Sequence, residues 1–388
     1  MNSRFDQLDS IRGLAAVTVM LSHIGNVSAT YLFSVLITGS PLKVLINGSS
    51  AVLLFFILSG FVLSLPLVNG REMNYPVFVI RRILRIYVPY LVSIIIAILL
   101  SLLLSRGGIN ELSYWFNLTW TTKFSASLLF EHFLLIGNVH SDAFNNVIWS
   151  LVHEMRISLL FPLVYLVVIK FNWKFSIIIG FFLSLFSILN DTLGFQVSNG
   201  YYTSYWDTLH YTSMFIFGGV IAKHLKDILG MYHKLTRTYK WLLLIAAFIF
   251  YNYPGIGIRI LNFIDFFYPA RVLMDYIACL GAVLFIIIAL GSHKITKILM
   301  IKPINFIGKI SYSLYLYHLI VLLSLFYLLY NFVPIGIIST LTILVSIFIS
   351  TIAYYFVEVP SMKLGKTISY KQKVQKITTE LNQSVSKV

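Results

Sequence analysis

The chain has 388 residues, 58% of them hydrophobic and only 11% charged, where soluble domains carry about a quarter charged residues. With a mean hydropathy of +0.85, this excludes a soluble globular class and leaves an all-α polytopic membrane protein. The formal net charge of +15 would suggest nucleic acid in a soluble protein. Here it fits the Lys/Arg excess of cytoplasmic loops, and no nucleic-acid partner is expected.

A spanning helix needs about 20 mostly apolar residues. About ten stretches qualify, near 9–29, 44–68, 86–105, 147–169, 173–194, 208–223, 241–257, 270–291, 310–330 and 335–357. The apolar run Ser125–Gly137 is too short to cross and reads as interfacial or re-entrant. With the N-terminus inside, 23 of the 29 Lys and Arg fall on one side and five (Lys43, Arg106, Lys123, Arg259 and Arg271) on the other, with Arg156 inside a helix. That asymmetry predicts cytoplasmic termini at both ends. The expected organisation is one membrane-embedded domain, 1–360, and a short basic cytoplasmic tail, 361–388. Cys279 is the single cysteine, so no intrachain disulfide is possible, and no Cys/His ligand spacing suggests a metal. Asp6 and Asp9 near the N-terminus argue against a cleavable signal peptide.

Ionisable groups at membrane depth are functional candidates by default. Arg12 and His23 are eleven residues apart, so on a helix they share one face, about 16 Å apart along the axis. Arg12 alone can snorkel to headgroups, whereas the short His23 side chain cannot. Their common face favours an inward polar stripe. In the second span, Ser59 and Gly60 permit close helix approach or a backbone passing near a ligand.

Next comes "FVIRRILRIYVPY", where Arg81, Arg82 and Arg85 stand at i, i+1 and i+4, with Arg81 and Arg85 on one face. Such a cluster binds anionic lipid headgroups or holds a phosphate-bearing ligand in guanidinium forks. Three arginines without a lysine favour the ligand.

The fourth span opens "VIWSLVHEMRISLLFPL", with Trp149, His153, Glu154, Arg156 and Pro162. Helical rise puts Glu154 about 10 Å deep, level with His23, where a carboxylate orients an imidazole and raises its basicity. The alternative is a structural pair with Arg156 or another helix. The aromatic segment Asn199–Tyr211, which contains Asp207, reads as an interfacial belt or a sugar-stacking platform. In the ninth span, Ser311, Tyr312, Ser313 and Tyr315 read as interhelical hydrogen-bond partners. His318 is either a packed histidine or part of the chemistry.

Taken together, these pieces resemble the acyltransferase-3 family of integral-membrane acyltransferases, bacterial and eukaryotic, from Leu8 to about Lys366. The motifs run in the family's order: "LDSIRGLAAVTVMLSH" with Arg12 and His23, "FFILSGF" with Ser59, and "RRILR" with Arg82 and Arg85. They continue with "IWSLVHE", which holds Trp149 and Glu154, then "GKISYSLYLYH" with His318, and "VEVP" with Glu358. Two departures stand out: His153 replaces a more common small or apolar residue, and "VEVP" lacks the arginine of the commoner Glu-Arg-Pro ending.

The resemblance implies transfer of an acyl group, usually acetyl, from cytoplasmic acyl-CoA to a hydroxyl, commonly of a surface glycan. The implied partners are acyl-CoA, a glycan or lipid-linked sugar acceptor, and membrane lipids. The implied location is the bacterial cytoplasmic membrane. Arg82 and Arg85, with Arg81 beside them, become candidates for donor recognition, and Arg12, His23 and Glu154 for the transfer route. His23 is then a general base or, alternatively, an acyl-histidine nucleophile. Ser59, Trp149, His318 and Glu358 are expected to serve the substrate or the packing. Some relatives carry an extracytoplasmic esterase-like domain after the last helix; acceptor recognition is expected here from the membrane domain or a partner. The rival reading is a proton-coupled transporter or exporter with His23, Glu154 and Asp275 along its path.

Overall fold

The computed structural model describes residues 5–28, 37, 39–255 and 269–368. Among them there is no strand, and the chain is all-α. In chain order come α1 (Asp6–Val27), α2 (Gly48–Val68) and α3 (Tyr75–Arg82), which runs through a π turn at Ile83–Tyr87 into α4 (Val88–Leu104). The nine-residue α5 (Ala126–Leu134) is too short to cross a bilayer. Then come α6 (Trp149–Leu159), α7 (Phe161–Lys170), α8 (Trp173–Leu193), α9 (Tyr205–Lys223), α10 (Leu225–Lys234) and α11 (Arg237–Asn252). The last are α12 (Pro269–Gly291), α13 (His293–Leu299), α14 (Lys302–Lys309), α15 (Ser311–Leu329) and α16 (Ile335–Ala353), which continues through a second π turn, Tyr354–Glu358, to Ile368. That rod runs into the expected tail; residues 369–388 of the tail, and Arg259, lie outside the described residues.

The helix starts are written locally. Side-chain oxygens of Asn47, Asn74, Asn172 and Ser204 accept the backbone N–H groups of Ser50, Val77, Phe175 and Asp207. Each satisfies a donor that the first helical turn leaves without a partner.

Six helices among the described residues are long and apolar enough to cross a membrane, seven if α6 and α7 form one span. The protein is a multi-pass membrane protein. The other expected spans are helices too, of a different character. α1 carries Asp6, Asp9 and Arg12, α9 is polar from Asp207 to Ser213, and α11 has only 16 residues. The expected span at 147–169 is not straight. It bends by 64° between α6 and α7, where Pro162 lacks the N–H that a continuous helix needs.

Without a hydrophobic driving force between helices in lipid, packing relies on small residues and hydrogen bonds. α8 buries only Ser176, Gly180, Ser184, Ser187 and Asn190, a single stripe repeating every three or four residues. α16 does the same with Ile338, Thr342, Ser346, Ser350 and Ala353. α2 and α9 touch backbone to backbone. A Cβ on Gly60 would lie 2.2 Å from the Phe215 carbonyl oxygen, and one on Gly218 would lie 2.1 Å from that of Ile57. α2 and α15 form the buried centre, and α1 packs along both. Arg12 and His23 therefore face protein.

Candidate functional site

A cavity of about 910 Å³ opens between α1, α2, α6, α15 and the two π turns. Six cationic side chains line it (Arg12, Arg71, Arg82, Arg85, Lys309 and Lys366) against three carboxylates, Asp9, Glu154 and Glu358. The volume suits an organic ligand and the charge excess suits an anionic one.

Within the wall, Arg82 is buried; its Nη2 donates to Glu154 Oε1 at 2.6 Å and its Nε to Ser158 Oγ at 3.0 Å. Ser59 Oγ donates to the same Glu154 oxygen at 3.2 Å. Arg12 does not snorkel. Its Nη1 bonds Asp9 Oδ1 at 3.2 Å and its Nη2 the Leu58 carbonyl at 3.3 Å. Glu358 accepts from Ser313 Oγ at 2.7 Å. Among the described residues, Arg71, Arg85, Lys309 and Lys366 make no salt bridge.

The π turn corrects the expected arginine face. The anticipated pair on one face was Arg81 and Arg85; Arg82 and Arg85 line the cavity instead, and Arg81 does not. A π turn holds more residues than an α turn, so it rotates α3 relative to α4. Its carbonyls are used as well: Tyr312 Oη donates to Ile86 O at 2.7 Å, and Ser361 Oγ donates to Leu84 O.

Deeper in, the cavity ends on a ring layer. Phe55 meets Tyr315 edge-on at 5.7 Å between centroids. Tyr315 Oη donates to the Val147 carbonyl at 2.9 Å and receives Ser150 Oγ at 2.7 Å, which fixes its ring. Behind Tyr315, at 6.2 Å, stands His318. His23 Nδ1 lies 2.9 Å from His318 Nε2, with the two ring planes within 24° and their centroids 5.1 Å apart, and Trp115 covers His23 at 5.0 Å.

The expected pairing of His23 with Glu154 is therefore not made; each has another partner. Glu154 binds Arg82 of α3 within the cavity wall. Nor does Glu154 pair with Arg156. That guanidinium binds the carbonyls of Ile136, Gly137 and Ser204 and the Thr208 hydroxyl, tying the loops to α6. His153 spans Thr208 and the Tyr202 carbonyl, as a structural histidine does. Trp149 packs on Phe56, His153, Tyr201 and Tyr211, away from His23.

Sequence reasoning did not foresee a second polar cluster, away from the cavity. Arg271 binds Asp191 at 2.8 Å and Asp207 at 2.9 Å. His210 bridges Asp275 and Ser184 at 3.1 and 2.9 Å. The signal was present in buried charges placed on α9 and α12. Asp275 has its partner in this cluster, whereas His23 pairs with His318 and Glu154 with Arg82.

A cationic cavity with a histidine pair behind Tyr315 of its wall is an arrangement suited to group transfer involving an anionic ligand. No curated protein and no solved structure matches the chain. The family model described as an acyltransferase domain does, over residues 5–356, nearly the whole of the membrane-embedded helices. With that match on the same helices that build the cavity and carry His23, the chain belongs to the acyltransferase-3 family and is a membrane acyltransferase.

Proposed function

We propose that this protein moves an acyl group, acetyl in the simplest case, from cytoplasmic acyl-CoA to a hydroxyl of a surface glycan or lipid-linked sugar. The setting is the bacterial cytoplasmic membrane, with both termini inside. The observation that carries this reading is the excess of cationic side chains in a cavity that ends one ring layer from His23.

In this reading, the phosphates of CoA meet Arg85, Lys309, Lys366 and Arg71, which no salt bridge among the described residues neutralises. Arg82 and Arg12, held by Glu154 and Asp9, shape the wall and add positive field. The pantetheine arm extends inward, and Phe55 swings away from the fixed Tyr315 to admit the thioester. His23 Nε2 takes the acceptor proton as the hydroxyl oxygen attacks the thioester carbon. The C–S bond breaks, and the thiolate of CoA recovers the proton from His23. A positioned base of this kind contributes about 10²–10⁴-fold.

The test follows free thiol and label from acyl-labelled acetyl-CoA in membranes from producing cells. Wild type is compared with His23→Ala and with the double variant Arg82→Ala/Arg85→Ala. Thiol release with label on a glycan or lipid, lost in the variants, supports the reading and begins to name the acceptor. Purified protein that neither binds CoA nor releases thiol overturns it.

A further inference from the structure

We propose that His318 is a positioning residue: it holds His23 in the Nδ1–H tautomer and so makes Nε2 the basic atom of that ring. The proposal deepens the acyl-transfer reading and rests on it only for its kinetic arm.

The proton order is set from a backbone carbonyl. His318 Nδ1 lies 2.9 Å from the carbonyl oxygen of Leu314, one turn earlier on α15. A carbonyl only accepts, so the proton is on His318 Nδ1. A neutral imidazole carries one N–H, which leaves His318 Nε2 with a lone pair. That lone pair faces His23 Nδ1 at 2.9 Å, so His23 Nδ1 donates. His23 Nε2 then holds the remaining lone pair, and the described residues give it no hydrogen-bond partner.

Three features keep this order in place. His318 is fully buried, which keeps competing water away from its ring nitrogens. Its ring has His23 and Tyr315 as neighbours, and Tyr315 is itself pinned by Val147 and Ser150. Trp115 limits the rotation of His23 from its other face. Free histidine in water favours the opposite tautomer, so the protein imposes this one. When His23 accepts a proton at Nε2, its Nδ1–H bond to His318 becomes charge-assisted and strengthens. His318 thus does for His23 what a carboxylate does in other histidine pairs, without adding a negative charge to the interior.

The experiment uses full-length protein, labelled with ¹⁵N-histidine in detergent, and long-range ¹H–¹⁵N spectra at neutral pH. The His23 signals are identified by their loss in His23→Gln. The expected result is an Nδ1–H ring for His23 in wild type that shifts towards Nε2–H in His318→Leu. An Nε2–H ring in wild type, or no change in His318→Leu, overturns the proposal. The kinetic arm compares His318→Gln, whose amide oxygen still accepts from His23 Nδ1, with His318→Leu, which accepts nothing. Leu is expected to lower kcat by about 10²-fold or more at unchanged donor KM, with a smaller loss for Gln. Equal losses in the two, or a loss carried by KM, count against positioning. If wild type transfers no acyl group, the functional reading falls while the spectra still decide the tautomer.

Discussion

Glu154 and Arg82 form a largely buried ion pair, Oε1 to Nη2 at 2.6 Å, that joins α6 to α3 beside the cavity. Removing one partner leaves the other charge without compensation, whereas replacing both by apolar residues is often neutral. Glu154→Ala is therefore expected to cost about 3–5 kcal/mol of stability. The double variant Arg82→Met/Glu154→Met should recover most of that loss while remaining inactive in transfer. Thermal unfolding in detergent beside the thiol-release assay separates the two effects. A double variant as unstable as the single one would show that the pair is not the source.

Arg85 presents the opposite case. It lines the cavity and, among the described residues, has no salt-bridge partner. Arg85→Ala should change stability by no more than about 0.5 kcal/mol. It should weaken CoA binding by about tenfold or more, the value of one charge-assisted hydrogen bond. Arg81→Ala should leave CoA affinity unchanged. Titration calorimetry with CoA checks both, and equal effects at 81 and 85 would contradict the register set by the π turn.

The ring layer makes a prediction about the donor. Phe55 closes the inner end of the cavity together with Tyr315, which is fixed by two hydrogen bonds. Phe55→Ala opens space there without disturbing Tyr315. It should raise turnover of longer acyl-CoA donors relative to acetyl-CoA. Competition between donors of different chain length reads this out, and an unchanged preference would place the selective wall elsewhere.

Outside the spans, His132 on α5 is fully buried, with Nδ1–H bonded to the Leu128 carbonyl, Nε2 without a hydrogen-bond partner among the described residues, and the ring of Phe144 against it at 4.8 Å. Burial pushes its pKa below the usual imidazole range; the Leu128 bond and nearby Glu131 oppose this more weakly. The folded protein thus binds this proton less readily than the unfolded chain. The stability it contributes is present above about pH 6.5 and is lost as pH falls from there towards the folded pKa. The melting temperature is expected to drop between pH 7 and pH 5, and to drop less in His132→Leu. Identical slopes would exclude His132 as the cause.

Much of the architecture is legible in the residue order. The stripe of small residues on α8, the shared inward face of Arg12 and His23, and the short α5 all come from helical period and length. What period cannot supply is the rotation and depth of one helix against another. Glu154 and His23 are expected to meet, but the reach of Arg82 to Glu154 and of His318 to His23 gives each another partner. The histidine pair joins residues 295 positions apart, a contact that only packing can create. The arginine register failed for a local reason, since nothing in "RRILR" announces a π turn.

The two π turns also determine what the protein tolerates along its length. Each inserts slack into a helix, and the side chains of Tyr312 and Ser361 occupy carbonyls of the first one. Deleting Ile83, which does not line the cavity, would relax that segment to an ordinary helix and swing Arg82 by about 100° relative to α4. No side chain of the wall would be altered, yet the ion pair with Glu154 would be broken. At this point in the chain, residue count itself is under constraint: substitutions can be absorbed where deletions cannot.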